Sequence, residues 1–175
     1  LLFNVLQSDL DKENRLLKAK SIECATLIAA AVGKDKFSQH AEQLIQIFGH
    51  IQKEAVDEDD PVKPYLEQGW NTICSIIGTD FLPYLPSVLP TLIEQAKAEQ
   101  IIKLVDEGDE VDQDEQWDVY SLAGKLVALH TAVLDDKIDA IEILKSYADI
   151  LKGSFYPYVP LIVKEILLPA LDFYF

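Results

Sequence analysis

Phe81-Leu82-Pro83-Tyr84-Leu85-Pro86 returns almost letter for letter as Phe155-Tyr156-Pro157-Tyr158-Val159-Pro160, and self-similarity of this kind decides how the rest of the chain is read. Each copy follows an apolar helical pattern ended by a glycine, Ile76-Ile77-Gly78 in one case and Ile150-Leu151-Lys152-Gly153 in the other, as a helix C-cap requires. The first amides of a helix lack internal acceptors, so Pro83 with Pro86, and Pro157 with Pro160, suit the opening turn of a following helix. Pro90 and Pro169 fall deeper, where the missing N–H and a clash with the preceding turn predict a bend or a break. A weaker third copy lies upstream, where Ala31-Val32-Gly33 precedes Phe37.

Phe37 and Phe81 are 44 positions apart, within the roughly 40 to 47 residues of HEAT or armadillo helical-pair units. Phe81 and Phe155 are 74 apart, so an insertion sits between the second and third units. Phe37, Ala41, Leu44, Phe48 and Ile51 form one helical stripe, with Gln39, Glu42, Gln43, Gln46 and Lys53 on the other side, which predicts an amphipathic second helix. Its predecessor, about 14–32, becomes apolar nearly all round from Ala25 onward, as suits a helix sandwiched between neighbours. The second unit is expected at about 62–77 and 82–96, the third at about 137–151 and 156–171, with Asp136 and Asp139 as a capping box. The expected fold is therefore all-α, a HEAT-repeat α-solenoid of about three antiparallel helix pairs. Residues 1–10 would end a preceding repeat, 11–56, 57–96 and 135–175 would be repeats, and 97–134 an acidic insert. The apolar ends, Leu1-Leu2-Phe3 and Leu171-Asp172-Phe173-Tyr174-Phe175, carry no polar capping and predict a segment of a longer solenoid.

Within the insert, Asp106, Glu107, Asp109, Glu110, Asp112, Asp114 and Glu115 place seven acids in ten positions, and self-repulsion is expected to keep that loop extended and mobile. After it, Trp117 to Leu122, then Ala123-Gly124, then Lys125 to Val133 read as either a short hairpin or a helix, and the aromatic and β-branched residues around a central Ala-Gly favour the hairpin. A second run, Asp57-Glu58-Asp59-Asp60, ends at Pro61 and fits the loop between the first two units. Such runs are either solvated loops or attractors of basic partners. The formal net charge of -15, from 30 acidic and 15 basic residues, speaks against nucleic acid, since neutralising phosphates needs Lys and Arg. On the attractor reading, the candidate cargo carboxylates are Glu42, Glu54 and Glu94 on helices with Asp57, Glu58, Asp59 and Asp60 in the loop.

No purely apolar stretch approaches the roughly 20 residues that span a bilayer, so no membrane partner is expected. His40, His50 and His130 lack the i, i+4 spacing of a helical metal pair and have no neighbouring cysteine, and each reads as a surface or half-buried helix residue. No metal, cofactor or catalytic site is expected: G-x-S-x-G, a glycine-rich phosphate loop and C-x-x-C are all missing from the sequence, and neither acidic run satisfies a calcium-loop register. Cys24 and Cys74 lie in apolar helical patterns and read as buried free thiols. Trp70 shares a stripe with Leu66, Ile73 and Ile77 and reads as core.

Lys20-Ser21-Ile22-Glu23-Cys24, Ala31-Val32-Gly33-Lys34-Asp35-Lys36-Phe37, Trp117 at the end of the acidic insert, Thr131-Ala132, Leu134-Asp135-Asp136-Lys137 and the closing Leu171-Asp172-Phe173-Tyr174-Phe175 together resemble the central HEAT repeats of the karyopherin-beta (importin-beta) nuclear transport receptors, in the importin-five branch. The resemblance runs over nearly the whole chain and departs between Ala98 and Gln116. It implies a receptor that shuttles between cytoplasm and nucleus through the nuclear pore with basic cargo or nuclear-localisation signals. It further implies Ran GTPase and Phe-Gly nucleoporins as partners of the full-length receptor, with second helices lining the cargo face and first helices facing outward. A generic HEAT scaffold, or a regulatory subunit organising a protein complex, is the alternative that the repeat and the charge alone leave open.

Overall fold

Among the described residues the apolar stripes become seven α-helices, separated in part by residues that cannot continue an α-helix. The structure, a computed structural model, describes residues 2–8, 14–54, 60–98, 102–105, 117–122 and 125–172. Two compact units divide it, one formed by 1–88 with 146–154 and the other by 89–145 with 155–175.

In the first unit, α1 (Leu2–Gln7) precedes α2 (Arg15–Ile51), which is two helical arms joined at Gly33. Gly33 adopts φ 74 and ψ 172, a conformation that side-chain-bearing residues rarely enter. The second arm buries Phe37, Leu44, Phe48 and Ile51 and leaves Gln39, Glu42, Gln43, Gln46 and Lys53 exposed, so the stripe is the core face. α3 (Val62–Ile77) buries Leu66, Trp70, Ile73 and Ile77 against α2. Trp70 meets Phe48 edge-on at 5.4 Å and Phe81 at 6.0 Å, while its indole N–H donates to Gln52 Oε1 at 3.1 Å. Gln52 Nε2 in turn donates to the Ser87 carbonyl at 2.8 Å, so one amide links three helical segments.

α3 ends at Gly78, whose φ of 62 again suits glycine. A 3₁₀ turn over Gly78–Tyr84 carries Phe81 and Pro83, and α4 (Leu85–Ala96) follows. Lys34 ties the two glycine breaks together, donating to the Ile77 carbonyl at 3.0 Å and pairing with Asp80 at 2.9 Å. Phe81 therefore belongs to the turn before the second helix, not to the helix itself, yet it is fully buried. α4 runs through Pro90 without a break, because the lost hydrogen bond falls close to the helix start.

The second unit contains the insert. β1 (Ile102–Val105), β2 (Trp117–Leu122) and β3 (Lys125–His130) form an antiparallel sheet in the order β1-β3-β2. The register runs without interruption from Trp117 opposite His130 to Leu122 opposite Lys125. The expected hairpin thus supplies two of the three strands of the sheet, because Ile102–Val105 adds a strand that the failing helical stripe did not reveal. α5 (Thr131–Leu151) starts directly after β3, which corrects both the insert boundary at 134 and the capping box at Asp136 and Asp139. The Val133 N–H donates to His130 Nδ1 at 3.3 Å, so an imidazole satisfies an orphan amide in the first turn.

The last six residues of α5 return to the first unit, where Tyr147 is buried with its ring 5.5 Å from Phe81. Lys152, not Gly153, takes the left-handed conformation there, with φ 49. A second 3₁₀ turn, Lys152–Tyr158, leads into α6 (Val159–Ile162), and Phe155 in that turn is buried. A π-turn over Val163–Leu167 precedes α7 (Leu168–Asp172). Leu168 N–H reaches back to the Val163 carbonyl, a widened turn just ahead of Pro169, where the sequence predicts disruption.

Candidate functional site

The acidic residues fall into three groups. Glu54 and Asp60 converge on the start of α2, where Arg15 contacts Glu54 at 3.4 Å and Asp60 at 2.5 Å, and Lys18 contacts Glu54 at 3.3 Å. Lys18 is only 1 % exposed and Arg15 14 %, so this is an ionic cluster largely withdrawn from water. The Arg15 guanidinium is raised above its ordinary pKa, chiefly through its hydrogen bond to Asp60 against the opposing effect of burial. Asp60 Oδ1 also accepts the Val62 N–H at 2.8 Å, capping the first turn of α3. These two carboxylates hold the link between α2 and α3. Arg15 and Lys18 escaped the sequence reading because their acidic partners lie 36 to 45 positions away, beyond any local spacing rule.

Glu42 is exposed on α2, opposite the buried stripe, and belongs to the first unit. Glu94 is exposed on α4 in the second unit, with Lys97 3.8 Å away. Lys97 also pairs with Glu165 at 3.3 Å, and Lys164 with Lys97 holds Glu165 below the usual carboxylate range. Asp57, Glu58 and Asp59, and the run Asp106, Glu107, Asp109, Glu110, Asp112, Asp114 and Glu115, lie outside the described residues. So does the expectation that the second run is mobile.

Several single-residue readings are settled. His40 and His50 are exposed and His130 half-buried, and His130 packs edge-on against Trp117 at 5.1 Å. Leu27, Ile28 and Val32 are exposed, so within the described residues the first arm of α2 is not sandwiched on that face. Cys24 is exposed as well, which corrects its reading as buried: it sits on the side of that arm turned away from Ala19 and Ile22. Cys74 is buried, and neither cysteine forms a disulfide. Burial pushes the Cys74 thiol up from 9.0 to about 12, because the thiolate loses its hydration. A thiol-specific reagent at pH 8 is therefore expected to modify Cys24 in seconds to minutes and Cys74 only on unfolding. Since the folded state holds the Cys74 proton more tightly, the stability it contributes is present below pH 9 and is lost as pH rises toward 12. An alkaline melting series on wild type and Cys74→Ala checks this, the variant losing part of the decline.

By length and composition, Val62–Ala96 and Thr131–Leu171 are helical and apolar enough to cross a membrane. Each is interrupted by a left-handed residue, Gly78 or Lys152, and opens into a 3₁₀ turn, so neither is a single membrane-length rod.

No family model matches the chain. Importin subunit beta-3 of Saccharomyces cerevisiae is 49% identical over 176 residues, covering 99% of this chain and 16% of that protein. A probable importin-5 homolog of Dictyostelium discoideum is 26% identical over 163 residues, covering 93% of this chain and 14% of that protein. Among solved structures, Kap121p bound to RanGTP matches with a TM-score of 0.81 at 47% identity. Kap121p bound to Pho4p matches at 0.83 and 46%, and Kap121p bound to Nup53p at 0.82 and 46%. Each of these covers 99% of this chain and 16% of the solved chain. The chain thus spans about one sixth of the relatives it matches, and the helix-pair repeat fold is shared with the solved structures.

Proposed function

We propose that this chain, which belongs to the karyopherin-beta family in its importin-five branch, is a segment of a nuclear import receptor that binds basic cargo proteins or nuclear-localisation signals. The receptor as a whole shuttles between cytoplasm and nucleus through the nuclear pore, and takes Ran-GTP and Phe-Gly nucleoporins as its further partners. The observation that carries the reading is 49% identity to an importin across 99% of the chain. Complexes of Kap121p with RanGTP, Pho4p and Nup53p support the three partner classes. The role is binding, not catalysis.

The net charge of -15 supports basic partners, and it supports a collective attraction more than a single anchoring carboxylate. Glu42, Glu94, Asp57, Glu58 and Asp59 are the carboxylates proposed to face cargo. Asp60 and Glu54 belong to the same group in sequence, but their engagement with Arg15 and Lys18 makes their first duty structural. A pull-down with the full-length protein and three immobilised probes tests the reading: a basic nuclear-localisation peptide, a Phe-Gly peptide and Ran-GTP. Retention on all three is expected. A scaffold or regulatory subunit of another assembly ignores all three, and that outcome removes the transport reading.

A further inference from the structure

Lys34 stands at an electrostatic disadvantage on its own helix. It follows the Gly33 break as the first residue of the second arm of α2, and a cation is unfavourable at the positive end of a helix. Its ammonium reaches across to the last carbonyl of α3, donating to Ile77 at 3.0 Å and pairing with Asp80 at 2.9 Å. There the same charge is favourable, because a helix C-terminus carries the negative end of the dipole and carbonyls without internal donors. The lysine is misplaced for the helix that holds it and well placed for its neighbour.

The joint it closes is otherwise loosely built. Gly33 and Gly78 both have positive φ, and outside the chain neighbours a Cβ at either would meet nothing within 4 Å, so both turns are set by backbone conformation and not by close packing. Beyond the glycines the chain is anchored, since Phe37 is 5 % exposed and Phe81 0 %. Between pivot and anchor lie Lys34, Asp35 and Lys36 in one turn and Thr79 and Asp80 in the other, all exposed.

We propose that Lys34 is a charge-dependent latch between the turns of two neighbouring repeats. Closed, it caps α3 and holds the Gly78 turn to the start of the second arm of α2. Screened by salt or deprived of its charge, it frees residues 78–80 while Phe37 and Phe81 stay seated. Lys34 is 53 % exposed and Asp80 68 %, so the pair is weak and reversible, as a contact that opens without unfolding the core must be. The latch governs movement within the chain and uses none of the carboxylates proposed to face cargo.

Hydrogen exchange, read by mass spectrometry on the full-length protein that contains this chain, tests the latch. Exchange at 78–80 is expected to be about three- to tenfold faster in Lys34→Gln than in wild type, with 66–74 of α3 unchanged. Lys34→Arg keeps the charge and is expected to stay within about twofold of wild type. Asp80→Asn removes the ion pair but keeps the bond to the Ile77 carbonyl, and falls between. In wild type, raising sodium chloride from about 0.05 to 0.5 M is expected to speed exchange at 78–80 about twofold, a readout that stands even if a variant fails to fold. The proposal is overturned by equal exchange at 78–80 in wild type and Lys34→Gln, or by an increase spread evenly over α2 and α3, which marks general destabilisation. It is equally overturned by a wild-type turn that ignores salt, or by Lys34→Arg behaving as Lys34→Gln does.

Discussion

Replacing Phe81 by Ala is expected to lower the unfolding free energy by about 3 to 5 kcal/mol, the range for truncating a buried aromatic. Phe81 is fully buried and its ring centroid lies 5.5 Å from Tyr147 and 6.0 Å from both Trp70 and Tyr84. Those rings come from α3, the 3₁₀ turn and the end of α5, and a backbone pinned by Gly78 on one side and α4 on the other cannot readily collapse into the void. Phe81→Leu keeps part of the volume and is expected to cost less than half as much. Chemical denaturation of wild type, Phe81→Ala and Phe81→Leu checks this. A loss under about 1 kcal/mol for the alanine variant means the repeated motif is not core.

Glu54→Ala is the second large effect, expected at about 3 kcal/mol, the lower end for breaking a buried pair. The carboxylate is 31 % exposed, but the Lys18 ammonium it serves is 1 % exposed, and truncation leaves that charge withdrawn from water without its partner. Removing the lysine charge as well reverses the logic: Lys18→Met with Glu54→Ala is expected to recover most of the loss, since the buried ammonium is gone. Urea denaturation of the two single variants and the double variant gives the coupling. Additive losses would show that Lys18 does not depend on Glu54.

Much of the fold was legible because it rests on period and on glycine. The stripe from Phe37 to Ile51 and the stripe through Leu66, Trp70, Ile73 and Ile77 became buried faces, and Gly33 and Gly78 became breaks with positive φ. The third repeat was harder to read. Asp136 and Asp139 imitate a helix start, whereas α5 begins at Thr131 with His130 beside its first turn, and histidine does not figure among capping residues. β1 went unnoticed because Ile101-Ile102-Lys103-Leu104-Val105 is too short to separate strand from helix by pattern.

The candidate site was legible as a charge and not as a geometry. The acidic runs are visible in composition, but nothing local distinguishes Glu42 and Glu94, exposed on their helices, from Glu54 and Asp60, which close on Arg15 and Lys18. Burial of distant partners decides that difference. The same holds for Cys24 and Cys74, alike in their apolar surroundings in sequence and opposite in exposure.

The most direct test of the central claim is the salt dependence of affinity between the full-length protein and a basic nuclear-localisation peptide. Wild type is compared with a variant in which Asp57, Glu58 and Asp59 and the seven acids of 106–115 become Asn or Gln. Exposed pairs contribute roughly 0 to 1 kcal/mol each and are screened beyond about 8 to 10 Å at physiological salt, so the group acts together and no single position decides. Slower association, weaker binding by about tenfold and a flatter salt dependence are expected in the variant, with its helical signal and melting intact. Unchanged affinity and an unchanged salt slope in a folded variant would contradict the account and leave the acidic runs as solubilising loops.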